Sequence, residues 1–203
     1  MSFFAGKEKI RMFLANVLEI PEYLPIKNKY EYFLNYMDQQ VEFWLPESEV
    51  HTKSHCARVL MHALIIGHKK GLSETEMDAL GMAAIFHDSR RLDDGLDVGH
   101  GKRAAAYYKA YCGESDLPYD ASTYYITYYH DRDDALGLSE IRESQTLGEQ
   151  TVLLYQIFKD ADALDRFRLG PEALDERFLR TEEAKKLVDF ARNLYHKSNE
   201  INL

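Results

Sequence analysis

Apolar positions recur three and four residues apart in segment after segment of this chain, and alternation with a period of two never persists. That spacing is the signature of amphipathic helices, so an all-α fold is expected. Residues 7–19 set Ile10, Phe13, Leu14, Val17 and Leu18 on one face before Pro21 and Pro25 interrupt. Tyr30, Phe33, Leu34, Met37 and Val41 form a second stripe that ends near Trp44 and Pro46. The plainest use of such a stripe is helix packing. Residues 1–48 therefore predict an N-terminal helical extension packed on a main domain over residues 49–203.

The main domain opens with a helix from about Val50 to Lys70, with Val59, Leu60, Ala63, Leu64 and Ile66 on its apolar side and Gly71 as its C-cap. Ser73-Glu74-Thr75-Glu76 is a capping box. The helix it opens runs through Met77, Leu80, Ala84 and Ile85 to His87-Asp88. Residues 90–103, rich in glycine and aspartate, read as a loop ending near His100. A helix carrying Ala104, Ala105, Tyr108 and Tyr111 follows, closed by Gly113, and then a tyrosine-rich helix from residues 118–122 to His130. Residues 131–146 are polar and read as loop. A long helix is expected from about Gly148 to Leu169, stopped by Gly170-Pro171, and a final one from Thr181 with Ala184, Leu187, Val188, Ala191 and Leu194 on one side.

Composition narrows the function classes. With 203 residues the chain can bury one sizeable core. Its formal net charge of -9 argues against a general nucleic-acid or anionic-membrane binder, but leaves room for a small phosphate in a local basic pocket. Cys56 and Cys112 form no disulfide framework. The apolar part of the N-terminus is too short for a signal peptide, and no stretch approaches the roughly 18 apolar residues of a membrane span. A cytoplasmic location is the expectation.

The chemistry lies in the histidines and aspartates. Adjacent residues on a helix point about 100° apart, so one ion pair does not easily use both His87 and Asp88, whereas a metal at the helix end does. His55, His87-Asp88, His100, His130 and Asp162 each sit on or at the end of a separate expected helix. Imidazole and carboxylate together suit a divalent transition metal or Mg. Asp162 lies among inward-facing residues and needs a strong partner, either a metal or Arg166 one turn on. The plainer alternatives are helix-end histidines at His87 and His130, and a solvated His100 beside Lys102 and Arg103. His62 and His68 read as bland.

This pattern resembles the HD-domain superfamily of metal-dependent phosphohydrolases, named for a His…His-Asp…Asp ligand set. The parts that carry the likeness are His55-Cys56-Ala57-Arg58-Val59, Ala84-Ile85-Phe86-His87-Asp88 and Asp160-Ala161-Asp162-Ala163-Leu164-Asp165, within about residues 50 to 168. The resemblance implies a helical bundle with one or two divalent ions (Mn, Fe, Mg, Ni, Co or Zn) on His55, His87, Asp88 and Asp162. His100 and His130 match the extra histidines of binuclear members, in which the Asp of the dyad bridges two metals. Asp160 is expected to support a ligand, while Asp165 reads as an ordinary surface charge. The segment from Val50-His51 to His55 looks like the opening motif of cyclic-nucleotide phosphodiesterases, where the earlier His protonates the leaving oxygen. Val50 replaces the Tyr found there, and the purine-binding segment is not apparent.

The implied function is hydrolysis of a nucleotide or other small phosphate ester, mono- or diester, by metal-activated hydroxide. Asp88 and His51 take the catalytic roles. Arg90, Arg91, Lys102 and Arg103 flank the dyad and His100 and can hold phosphate, the alternative being a basic stretch offset by Asp93, Asp94 and Asp97. Tyr124, Tyr125, Tyr128 and Tyr129 can stack on a base but more readily pack helices. Two other classes share the ligand set: a mixed-valent di-iron oxygenase and a non-catalytic nucleotide-sensing module. The expected partner is a small phosphorylated substrate, with neither a nucleic-acid duplex nor a membrane, and the acidic charge and aromatic N-terminal helices are compatible with a homodimer.

Overall fold

Residues 21–46, 48 and 53–200 are described by this computed structural model, the side chains of 199 and 200 excepted, and among them are nine α-helices and no strand. In chain order these are α1 (Lys27–Gln40), α2 (Lys53–Lys70), α3 (Glu74–Phe86), α4 (His100–Glu114), α5 (Ala121–Tyr129), α6 (Asp134–Glu143), α7 (Glu149–Leu164), α8 (Glu182–Lys185) and α9 (Val188–Glu200). The all-α expectation holds. No helix among the described residues is long and apolar enough to cross a membrane.

The bundle is built around α2. Every residue from His55 to Gly67 is buried, so this helix must be packed on all sides. The short link 71–73 folds α3 back against it, and α7 covers another face. Gly71, with φ 71°, ends α2 in the left-handed conformation that glycine adopts without strain. Ser73 and Glu76 form the expected capping box, the Ser73 N–H reaching Glu76 Oε2 at 2.7 Å. α1 crosses α2 and α3, and its Tyr30, Phe33, Leu34 and Met37 belong to the same core. The approach is close because Gly81 has no side chain: a Cβ there would lie 2.3 Å from the Phe33 ring. The described residues 21–46 thus pack into the same core as α2 and α3. The stripe of residues 7–19 lies outside the described residues.

Three boundaries differ from the sequence reading. Residues 134–143 form α6, not a loop. Only Gly137 and Ile141 of it are buried, so its apolar stripe is too thin to read, and the Asp133 side chain caps it at the Ala135 N–H. α7 ends at Leu164, and a 3₁₀ turn continues from Asp165 to Leu169. The last helix is broken: Thr181 caps the short α8, and α9 begins at Val188, although Ala184, Leu187, Val188, Ala191 and Leu194 are all buried as one stripe.

Candidate metal centre

Helix ends meet in one buried layer. His55 lies in the first turn of α2, His87 caps the C-terminus of α3 and Asp88 follows it. His100 begins α4, after Gly99 with φ 106°, and His130 caps the C-terminus of α5. All five are at most 5% exposed. Two triads of donor atoms result, His55–His87–Asp88 and Asp88–His100–His130, sharing one carboxylate. Asp88 Oδ2 is 3.5 Å from His55 Nε2 and 3.9 Å from His87 Nε2. Its Oδ1 is 3.0 Å from His100 Nε2 and 3.7 Å from His130 Nε2. Each oxygen therefore serves its own pair of imidazoles.

The second triad exists because Gly101 is a glycine. A Cβ there would stand 2.7 Å from the Thr127 carbonyl and 2.9 Å from His130 Nδ1. Only the bare backbone lets α4 start directly against the end of α5. Lys159, on α7, fastens that end by donating to the carbonyls of His130 (2.8 Å) and Arg132 (3.0 Å).

Every imidazole is held from behind. Nδ1 of His87 bonds the Ala84 carbonyl (2.9 Å), that of His100 the Asp97 carbonyl (2.9 Å) and that of His130 the Thr127 carbonyl (2.7 Å). A carbonyl only accepts, so Nδ1 carries the proton in these three rings and Nε2 presents a lone pair. In the fourth, His55 Nδ1 donates to Asp165 Oδ2 at 2.7 Å. Burial and the neighbouring histidines hold His87 neutral, its pKa lowered to about 3. His100 runs the other way: burial opposes its charge, but the Asp88 carboxylate outweighs burial and raises its pKa.

The Nε2 atoms of His55 and His87 face each other at 3.1 Å, and those of His100 and His130 at 2.8 Å. Lone pairs directed together at that range repel unless a proton or a metal ion lies between them. With metal–nitrogen bonds of about 2.1 Å, ligands at right angles stand about 3 Å apart, and tetrahedral ones about 3.4 Å. The donor–donor distances, from 2.8 to 3.9 Å, span both spacings, so the groups suit a divalent ion of either geometry.

Asp162 joins the first triad, its Oδ1 3.3 Å from His55 Nε2, and its side chain is 29% exposed where the other donors are sealed. The open side of the layer is therefore at Asp162. Burial would raise its carboxyl, but the hydrogen bond and charge of His55 hold it well below the usual carboxylate range. Arg166 is not its partner, since that guanidinium donates to the Ala173 carbonyl. Cys56 Sγ is 3.9 Å from His87 Nδ1, behind that ring and not among the Nε2 donors, and burial raises its thiol pKa strongly.

Of the four cations expected to hold phosphate, one reaches the layer. Arg91 Nη1 lies 3.2 Å from both ring nitrogens of His100. Arg90 turns away, bonding the carbonyls of Glu42 and Ser89 and lying over the rings of Tyr107 and Trp44. Trp44 donates its backbone N–H to the Ser89 carbonyl at 3.0 Å. Arg103 ties the loop by gripping Asp97 and the Arg90 carbonyl, and Lys102 is exposed. His51 lies outside the described residues. Tyr124 and Tyr125 stack on Tyr128 and Tyr129 one turn along, which is the packing use.

Two supporting residues were not singled out from the sequence. Asp165 is fully buried, not a surface charge. Burial alone would raise its carboxyl, but Arg58 and His55 hold it far below the carboxylate range. Arg58 grips it through Nε (2.5 Å) and Nη2 (3.0 Å) and reaches Ser198 on α9 through Nη1. A carboxylate behind a ligating imidazole fixes the ring and raises its basicity. Asp160, expected to support a ligand, instead accepts from the backbone N–H groups of Arg180 and Thr181 and orders the approach to α8.

No family model matches this chain, and neither does any curated protein or solved structure.

Proposed function

We propose that this chain is an HD-type metal-dependent phosphohydrolase acting on a small phosphate compound. One observation carries the reading: four imidazole Nε2 atoms, each fixed from behind, converge in two pairs on the two oxygens of Asp88. A lone structural metal needs one such group, and a helix-packing role needs none.

His55, His87, Asp88 and Asp162 would hold one divalent ion, and Asp88, His100 and His130 a second, each of them Mn, Fe, Mg, Ni, Co or Zn. Bound there, such ions lower the pKa of water and offset the charge of a phosphoryl group. The protein's own part is positional. Asp165 and the three carbonyls orient the rings, and Asp88 fixes the separation of the two half-sites. Arg91 supplies a buried guanidinium for a phosphate oxygen, and Asp162 marks the side from which substrate enters. His51, four residues before His55, is the proposed acid for the leaving oxygen.

The test is to assay the protein, loaded in turn with Mn²⁺, Co²⁺ and Fe²⁺, against a panel of phosphate mono- and diesters, with released phosphate as the readout and metal content measured alongside. Wild type is expected to hold one to two ions per chain and to turn over at least one ester class. Loss of a group behind a ligand costs 10–100-fold, so loss of the shared ligand in Asp88→Ala should cost about a hundredfold or more. Equal metal content in both proteins would remove Asp88 from the ligand set. Iron retention with O₂ uptake and no phosphate release would move the reading to the di-iron oxygenase class, which uses the same donors.

A further inference from the structure

The two half-sites are not electrically alike. A cation entering the first meets two carboxylates, Asp88 and Asp162. The nearest guanidiniums on that side bond Asp165 rather than a donor atom: Arg58 grips its carboxylate, and Arg168 donates to its carbonyl at 3.2 Å while its charge also helps hold Asp162 ionised. A cation entering the second half-site meets two imidazoles and only the shared carboxylate. It also meets Arg91, whose Nη1 lies 3.2 Å from His100 Nε2 and 3.6 Å from Asp88 Oδ1, against two of the three donors. Asp131 stands behind His100, 3.7 Å from Nδ1, with Arg132 3.5 Å from its other oxygen. Its carboxylate thus faces the Nδ1 side of the ring, away from the Nε2 donor atom.

Arg91 has no easy retreat. Its Nη2 donates to the Gly95 carbonyl at 2.5 Å and its Nε to the Asp93 carbonyl at 3.3 Å, and the side chain is 5% exposed. Two positive charges held that close in a buried layer repel strongly. An anion with several oxygens removes the conflict, because it can accept from the guanidinium and touch the ion together.

We infer that Arg91 makes the second half-site conditional: it takes a divalent cation only together with an oxyanion such as phosphate. The first ion is resident, and the second arrives with the anionic substrate. This rests on the metal reading above. Coupling of this kind is reciprocal, so the second ion tightens the oxyanion by the same factor as the oxyanion tightens the ion.

The test is a titration of chelator-stripped protein with Mn²⁺, with and without inorganic phosphate, reading free Mn²⁺ from its electron paramagnetic resonance against a protein-free control. Wild type should bind one ion without phosphate, and phosphate should tighten the second about tenfold or more, within the usual range of coupling. Arg91→Lys keeps the charge and should keep the phosphate dependence. Arg91→Gln should take the second ion without phosphate, the phosphate effect falling below about threefold. A wild-type second ion indifferent to phosphate overturns the inference, as does a Gln variant with the dependence intact. If the Gln variant does not fold, the Lys variant decides, and loss of phosphate dependence there overturns it. Wild type that binds no Mn²⁺ under either condition overturns the metal reading itself, a result distinguished by the missing first ion.

Discussion

His62 shows at the scale of one residue how burial sets chemistry. It is 0% exposed, neither ring nitrogen has a hydrogen-bond partner, and its ring stands edge-on to Phe190 at 5.9 Å. Burial lowers its pKa from 6.5 to about 4. The unfolded chain takes up that proton near pH 6.5 and the folded chain resists it until about pH 4. Between those values the unfolded state holds more protons, so acid favours unfolding. The stability advantage of wild type over His62→Leu should therefore shrink by about 3 kcal/mol between pH 7 and pH 4, as urea unfolding of the metal-free proteins would measure. An advantage constant across that range would mean that the folded protein protonates His62 at its ordinary pKa. His62 lies two turns beyond His55 on the same face of α2, so its distance from the helix end where the donors gather, not its face, keeps it out of the site. Asp165 was not legible as buried, although a signal was present. Asp165 follows Asp162 by three positions and Arg58 follows His55 by three, so a base lies one turn beyond His55 on α2 and an acid one turn beyond Asp162, just past the end of α7.

At the scale of elements, the site depends on how closely helix ends approach, and periodicity does not report this. The sequence placed His100 and His130 at helix boundaries, and both are there. That the two boundaries touch follows from Gly101, which reads in sequence as one more loop glycine. Gly101→Ala must push α4 from α5 by several tenths of an ångström, a kind of overpacking that costs about 1–3 kcal/mol. The expected result is a selective lesion. The second Mn²⁺, measured with phosphate present, should weaken by about 10–100-fold, the scale of a misplaced ligand, while the first is retained. Equal loss of both ions would show that the two half-sites do not separate at this joint. α6 stayed hidden for the opposite reason: an element that buries so little leaves little pattern, and its Asp133 cap was its main mark.

For the whole molecule, the legible part was the bundle and the illegible part was its register. Apolar stripes, the Ser73 capping box and Gly71 specify which segments are helical and where two of them turn. The donors of the first triad come from positions as far apart as His55 and Asp162, and only the packing of α2 against α3 and α7 brings them together. Motif order picked out residues that the packing does bring together, while the pairing of each Asp88 oxygen with two histidines needed coordinates. The same packing gives the chain a reporter of its own. Trp44 is the only tryptophan and is half-exposed; its backbone is bonded to Ser89, next to the shared carboxylate, and its ring lies against Arg90. Its indole emission is thus sensitive to the turn on which both half-sites hinge. Adding Mn²⁺ and then phosphate to stripped protein should change that emission in two separable steps, with no label attached, and the steps should vanish in Asp88→Ala.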